Sequence, residues 1–173
     1  MYFKKDKIYK RSELHDEFGG NRQSGIANCA KNDILFIFSG ASGKEYGYND
    51  GWDVDGFFWY SGEGQVGDMT FTKGNKRLLE HKVDNNRVFL FEGTDTVGYC
   101  KFIDELSLSS WEYYDTIDKN SDARVGIKFK FIKASNVNQH IRNDYEKTDD
   151  FKKSKPNITE RKGLVTSRVG QGT

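Results

Sequence analysis

The segment Gly47–Asp68, GYNDGWDVDGFFWYSGEGQVGD, decides the interpretation of this chain. It combines aromatic rings, carboxylates and glycines in one short stretch. A buried strand does not need the acids and glycines, and a solvated loop does not tolerate so many rings. Its centre, DGFFWYSG, is typical of a strand that ends in a glycine turn. The segment therefore predicts a short strand between loops that bind a flat, polar ligand.

Apolar runs on both sides of this segment predict more strands, with turn residues between them. Residues 124–134, RVGIKFKFIKA, alternate apolar side chains with lysines, which is typical of a half-buried strand. Strands are also predicted for 33–40, 87–93, 97–106 and 111–118. The sequence predicts few helices, and one short helix is expected in TKGNKRLLEHK, residues 72–82. We therefore expect a mainly β (α+β) fold, a barrel or highly curved sheet with few short helices.

Charge and cysteine content limit the function classes. The net charge of +1 over 173 residues is no global signature of nucleic-acid binding. Bases cluster at residues 4–11, whereas residues 45–68 carry acids and no base. Cys29 and Cys100 lack the CxxC spacing of a metal site, which predicts buried free thiols. Neither a secretory signal nor a membrane-spanning apolar run is visible, so we expect a cytoplasmic protein without a membrane partner.

The chain changes character near residue 136. Residues 136–173 are polar and highly charged, and most of them lack sheet periodicity. We therefore divide the chain into a domain of residues 1–135 and a charged linker of residues 136–173.

The residues at the centre of the first segment suit a nucleobase held outside a duplex. Such a base needs rings above and below it and hydrogen-bonding groups at its edge. Tyr48 and Tyr60 supply rings, and Asp50 can accept a hydrogen bond from an exocyclic amine such as N4 of cytosine. Ser61 and the glycine-rich backbone after it complete the edge. The alternative, that aromatic residues alternate across a core strand, is adopted for residues 57–59. A calcium loop in DGWDVDG lacks EF-hand spacing.

Two other stretches have side chains suited to DNA. Glycines flank Asn21, Arg22 and Gln23, which suit phosphates or base edges, although an ordinary surface turn looks the same. Lys73, Lys76 and Arg77 can grip a phosphate backbone or form a solvated helix face. Catalytic signals are weak, because the histidines lack metal-ligand spacing and no nucleophile elbow or phosphate loop occurs.

The central motif resembles that of SRA (SET- and RING-associated, or YDG) domains, in the branch fused to HNH restriction endonucleases. The family pattern joins a Gly-Tyr-x-Asp turn, a strand end with Phe-x-Tyr-[Ser/Thr]-Gly-x-Gly, and a later Gly-Asn. The matching residues here are Gly47, Tyr48, Asp50, Phe58, Tyr60, Ser61, Gly62, Gly64, Gly74 and Asn75. The preceding LHDEFGGNRQSGI resembles the family's loop and first strand. The tail TSRVGQGT resembles the lead-in to an HNH nuclease.

The resemblance implies a crescent-like β-barrel of the PUA/SRA type that flips a base into a pocket. Tyr48 and Tyr60 would sandwich 5-methylcytosine or 5-hydroxymethylcytosine, and Asp50 would read its edge with help from Ser61, Gly47 and Gly62. The loop of residues 19–24 would probe the duplex where the base left. The set expected to contact DNA is Asn21, Arg22, Gln23, Ser24, Lys73, Asn75, Lys76 and Arg77. The acidic segment must point inward, because it would repel phosphates.

The resulting function is that of a reader module for modified cytosine in double-stranded DNA, without catalysis or a cofactor of its own. The resemblance implies a parent HNH endonuclease that uses a divalent metal in a nuclease domain absent from this chain, dimerises through that domain, and acts near a prokaryotic nucleoid. Alternatives are a PUA-like RNA-binding domain, a reader of other modified or unmodified bases, and a small-molecule enzyme that uses Asp50, Asp53 or Asp55 as an acid or base.

Overall fold

A 19-residue strand, Tyr99–Ile117, forms the spine of the sheet. The computed structural model describes residues 2–40 and 50–137, and the backbone of residues 162–164. The strands are β1 Ile8–Lys10, β2 Ile26–Cys29, β3 Ile34–Ser39, β4 Gly51–Trp52, β5 Phe58–Ser61, β6 Arg87–Gly93, β7 Tyr99–Ile117, β8 Ala123–Lys133 and β9 Lys162–Leu164; the helices are α1 Arg11–Phe18 and α2 Lys73–Leu79.

All nine strands belong to one sheet with the order β2-β3-β6-β7-β8-β5-β4, while β1 and β9 also pair with β7. Every pair is antiparallel except β3 with β6, which are parallel. The path is open, because no ladder joins β2 to β4 among the described residues. The expected mostly β class with few helices is confirmed, but the described strands form an open sheet and not the closed barrel that was expected.

The period of each strand explains which face it buries. On β8, Ile127, Phe129 and Phe131 are fully buried, and the intervening lysines lie on the outer face. On β5, Phe58 and Tyr60 point to the same interior, whereas Trp59 is half-buried beneath Lys128 and Lys130. The core thus lies inside the curve of the sheet.

A second cluster of rings fills the space between α1 and the opposite face of strands β2, β3 and β6. It is built around Phe3, whose ring lies 5.2 Å from those of Phe89 and Phe91. Cys29 and Cys100 belong to this cluster as free, buried thiols, which confirms the cysteine prediction. Burial raises the pKa of each thiol to about 11, so neither is reactive near neutral pH.

Three differences from the sequence prediction concern the strands and the first helix. Residues 97–106 and 111–118 do not form two strands, because β7 runs through both with only a register shift between Leu108 and Ser110. The stretch LHDEFGGNRQSGI, expected to be a loop and first strand, begins within helix α1, Arg11–Phe18. Beyond residue 136 the expected linker lies mostly outside the described residues, although β9 pairs with β7.

The acidic segment does not turn inward as a whole. Asp50 and Glu63 line a pocket, but Asp55 and Asp68 are exposed. The expectation that all these acids point inward is therefore wrong, since short turns hold some of them at the surface.

No helix within the described ranges is long and apolar enough to cross a membrane.

Candidate functional site

A pocket of about 640 Å³ lies at the end of the sheet where β3, β5 and β6 finish and β2 and β7 begin. This volume lies within the range of roughly 300–1,000 Å³ that is typical of ligand sites. The pocket walls come from residues 23–25, 38–40, 60–65 and 98–100, together with Arg11, Asn21, Asp50 and Gly93.

Tyr60 forms the inner wall of this pocket. It is 5% exposed, and its ring lies 6.4 Å from Phe58 at an interplanar angle of 27°. Its hydroxyl group lies 3.0 Å from the carbonyl oxygen of Gly25 and 3.1 Å from that of Phe38, so the two oxygens share its proton. A Cβ atom at Gly25 would lie 2.8 Å from this hydroxyl, so glycine is what permits the approach. Tyr60 therefore ties β5 to the far end of the open sheet.

Asp50 is the most strongly perturbed acid of the pocket. Its Oδ1 accepts a hydrogen bond from the backbone N–H of Ser61 at 2.8 Å, and its Oδ2 lies 3.4 Å from the Ser39 hydroxyl. Burial raises the pKa of this carboxyl group to about 6, and these hydrogen bonds only partly offset the effect. A carboxyl group that changes charge near neutral pH is typical of functional sites.

Ser61 lies between two cavities. Its hydroxyl group is 3.1 Å from that of Tyr114 on β7. A second pocket of about 520 Å³ lies beyond it, with Trp52, Trp59 and Lys128 in its lining, and it shares Asp50 and Ser61 with the first pocket. The carboxyl group of Asp50 is therefore held in a thin wall between the two pockets.

The glycine-rich turn after β5 is locked by Asn75 of α2. The Asn75 side chain accepts from the N–H of Glu63 at 2.7 Å and donates to the carbonyl oxygens of Glu63 and Thr70. A Cβ atom at Gly62 would lie 2.8 Å from the Asn75 side-chain oxygen, and one at Gly74 would collide with the Glu63 carboxylate. These contacts explain the Gly-Asn motif physically. The DNA contact predicted for Asn75 is not supported, because this side chain is 2% exposed and holds the turn instead.

Arg11, which the sequence prediction missed, fixes the loop of residues 21–24. Its guanidinium group donates to the carbonyl oxygens of Ser24 at 2.7 Å and Asn21 at 3.3 Å, and lies 3.7 Å from the centre of the Phe38 ring. The Asn21 side chain caps the same turn, accepting from the N–H groups of Gln23 and Ser24. The loop is thus pre-formed rather than free. No signal in the sequence indicated this role, because Arg11 looked like one more base in the basic stretch of residues 4–11.

The remaining loop side chains point in different directions. Arg22 turns back to helix α1, where it donates to Asp16 and to the Ser12 carbonyl oxygen. Gln23 is exposed at the mouth of the pocket, and its side chain makes no hydrogen bond within the described part of the chain. Of the four loop residues, Gln23 therefore has the side chain most available to a ligand.

The predicted cations of α2 lie on its solvent face, where Lys73, Lys76 and Arg77 are exposed. Tyr48 and Gly47 lie outside the described residues, so the two-tyrosine sandwich remains a prediction.

The open mostly β sheet, with a recessed polar pocket at its end, defines a class of small binding domains that includes the SRA domains. The model of the family described as "ScoMcrA-like, SRA domain" matches residues 4–149, and the chain belongs to this family. No curated protein sequence compared with this chain matches it.

Solved structures with the same fold include SRA domains. The sulfur binding domain and SRA domain of ScoMcrA, complexed with phosphorothioated DNA, is 21% identical with a TM-score of 0.62 over 77% of this chain and 40% of that one. A complex of the SUVH5 SRA domain with hemi-methylated CG DNA is 22% identical and has a TM-score of 0.53. The match covers 77% of this chain and 90% of the SUVH5 chain. The DNA modification-dependent restriction endonuclease AspBHI is 18% identical and has a TM-score of 0.52. The match covers 69% of this chain and 36% of the AspBHI chain. This chain thus spans well under half of the ScoMcrA and AspBHI chains.

Proposed function

We propose that this chain reads modified cytosine, 5-methylcytosine or 5-hydroxymethylcytosine, by accepting the flipped base of a DNA duplex into the 640 Å³ pocket. The observation that carries the proposal is the half-buried carboxyl group of Asp50, held by the N–H of Ser61 beside the wall formed by Tyr60. A carboxyl oxygen accepts from the exocyclic amine of cytosine. Tyr48 is proposed to cover the other face of the base.

The surroundings of the pocket suit a duplex from which a base has left. Gln23, which lines the pocket on a loop fixed by Arg11, is proposed to occupy the vacated position, while Ser24 and Arg22 lie beside it on the same loop. Lys73, Lys76 and Arg77 are proposed to neutralise phosphates, which positions the duplex without reading its sequence. Extrusion costs a few kcal/mol, which stacking and edge hydrogen bonds must offset.

The larger protein is proposed to be a modification-dependent endonuclease with an HNH nuclease domain. Support comes from the tail motif and from the greater length of the structural relatives, among them a restriction endonuclease. In this proposal the chain itself binds and does not catalyse, and metal-dependent cleavage and dimerisation belong to the nuclease domain. Cleavage of modified but not plain DNA by the full-length protein, lost on changing its nuclease histidines, is the expected result.

The binding test uses matched duplexes that differ at one cytosine: plain, 5-methyl, 5-hydroxymethyl and glucosylated. A fifth duplex carries a phosphorothioate linkage, because the ScoMcrA complex contains phosphorothioated DNA. We expect the methyl or hydroxymethyl duplex to bind most tightly at a stated salt concentration. Equal affinity for all five duplexes, or for single-stranded RNA, would contradict the proposal.

Variants of the pocket sharpen this test. Asp50→Ala and Gln23→Ala should weaken binding to the modified duplex about tenfold while leaving the dependence on salt nearly unchanged. Lys76→Ala should lower affinity for every duplex and reduce the salt slope by about 1. Asp55→Ala is the matched control, since this exposed acid of the same segment does not line the pocket.

A further inference from the structure

The β6–β7 hairpin is the feature of the pocket rim that the sequence motifs did not single out. Its strands end and begin at Gly93 and Tyr99, and these two residues together with Gly98 line the 640 Å³ pocket. The turn between them, residues 94–98, therefore projects from the pocket rim.

The apex of this turn presents an apolar side chain to solvent. Val97 is 97% exposed, and Tyr99 beside it is 39% exposed. An isolated exposed apolar residue is common on protein surfaces. Here, however, it stands at the edge of a pocket that is proposed to accept a DNA base, where apolar side chains serve as wedges or base contacts.

The turn is held in one conformation, as a contact element requires. The Thr94 hydroxyl donates to the carbonyl oxygens of Thr96 and Tyr99 at 3.0 and 3.1 Å, and accepts from the N–H of Thr96 at 3.2 Å. Gly98 has a φ of +88°, a conformation that favours glycine. Binding would thus cost little ordering of the turn.

Arg11 connects this turn to the loop that carries Gln23. Its backbone N–H donates to the carbonyl oxygen of Gly98 at 2.8 Å, while its guanidinium group holds Ser24 and Asn21. A single residue thus fixes the positions of both rim elements relative to each other.

The charges beside the hairpin favour a polyanion. Strand β1 pairs with the start of β7, so that Lys10 lies opposite Tyr99 and Ile8 opposite Lys101. Lys7 and Arg11 belong to the same basic stretch. These cations outnumber the acids of the turn and its preceding strand end, Asp95 and Glu92.

We propose that the β6–β7 turn is a second DNA-reading element, with Val97 in apolar contact with a base or sugar of the duplex next to the extruded nucleotide. This inference rests on the proposed function. It adds an apolar contact from the β6–β7 turn to the polar contact proposed for Asp50. The ligand is the same duplex, not a separate molecule.

The test compares Val97→Thr, which keeps the shape and adds a hydroxyl group, with Val97→Asp, which adds a charge. On the preferred duplex, Val97→Thr should reduce affinity about three- to tenfold, and Val97→Asp should reduce it further. Val54→Thr and Val54→Asp are the matched controls, because Val54 is fully exposed at the other end of β5 and outside the pocket. Both controls should bind within about twofold of the parent.

A 2-aminopurine base next to the modified cytosine reports extrusion by its fluorescence, and the same variants should lower that signal at saturating protein. If the parent chain prefers the modified duplex but both Val97 variants bind and extrude like the Val54 controls, the hairpin contact is wrong and the proposed function stands. If the parent chain shows no preference among duplexes, the proposed function fails first and the hairpin inference fails with it.

Discussion

At the scale of single residues, Asp50 concentrates the chemistry of the pocket. An ionised carboxylate accepts hydrogen bonds only, whereas a protonated one also donates. The edge of cytosine presents the N4 amine as a donor and N3 as an acceptor. A protonated Asp50 therefore matches both groups, and its raised pKa of about 6 lowers the cost of holding that proton.

This match predicts that binding depends on pH. Above pH 6 the free protein has lost the proton that the complex retains, so affinity should fall by up to about tenfold per pH unit from pH 6.5 to 8.5. Below pH 6 the affinity should level off. Titrations of the modified duplex at constant ionic strength, from pH 5.5 to 8.5, measure this directly.

Asp50→Asn tests the role of the titrating proton, because it keeps the size of the side chain and removes its ionisation. Its amide offers the same donor and acceptor at every pH, so this variant should keep much of the affinity and lose the pH dependence. A pH slope that is the same in the Asn variant and the parent would assign the titration to another group.

Sequence reasoning located two residues of the pocket from a local motif, although their roles toward a ligand stay predictions. The acid and tyrosine of the central motif both line the pocket. It missed Arg11, because the carbonyl oxygens that this residue holds are 10 and 13 positions away and acquire their meaning only when the loop folds. It expected Asn75 to contact DNA, because an amide side chain after a glycine is typical of an exposed turn. The side chain is in fact buried, which the sequence does not show.

At the scale of elements, the turn after β5 and helix α2 form one unit. Asn75 satisfies two polar groups of Glu63 and one of Thr70 while being almost fully buried. Unsatisfied buried groups cost about 1–3 kcal/mol each. Through Asn75, the helix thus holds the shape of the pocket wall.

We expect Asn75→Ala to lower the free energy of unfolding by about 2–4 kcal/mol, because it leaves buried backbone groups without partners. Urea unfolding at neutral pH measures this change. Lys76→Ala is the control on the same helix, and its exposed side chain predicts a change below about 0.5 kcal/mol. Equal stability of the two variants would show that the turn holds its shape without the amide.

Strand periodicity predicted the elements better than their ends. Residues 87–93 form β6 as expected, and α2 lies within the predicted 72–82. The break assumed between residues 106 and 111 does not exist, because β7 continues through this stretch with one irregularity at Ser109, between Leu108 and Ser110. The buried imidazole of His81 accepts the N–H of Leu108 at that bulge, a long-range contact that no local pattern shows.

At the scale of the whole molecule, the buried His81 and the half-buried Asp50 give opposite pH dependences to stability. Burial lowers the pKa of His81 to about 4, so that protonation favours the unfolded chain, and stability falls as pH drops below about 6.5. Burial raises the pKa of Asp50 to about 6, so that its proton favours the folded chain between about pH 6 and 3.8. Each slope approaches about 1.4 kcal/mol per pH unit.

The parent chain should therefore show a shallow pH dependence of stability between pH 4 and 6. A variant that removes one of the two titrating groups should reveal the pH dependence caused by the other. Asp50→Asn should lose stability steeply with acid, helped by His15, whose pKa burial also lowers. His81→Gln should instead gain stability, relative to its own value at pH 7, as acid is added. Denaturant unfolding at half-unit pH steps compares the two, and parallel curves would refute the compensation.

The open path of the sheet has a consequence for how the protein is made. Among the described strands, β5, which carries Tyr60, pairs with β4 and β8, and Tyr60 lies opposite Phe129. A ribosome releases some seventy residues between these two partners, so the inner wall of the pocket stays unformed until almost all of the described sheet has been synthesised. The proposed base pocket is thus one of the last parts of this sheet that can take shape while the chain is being synthesised.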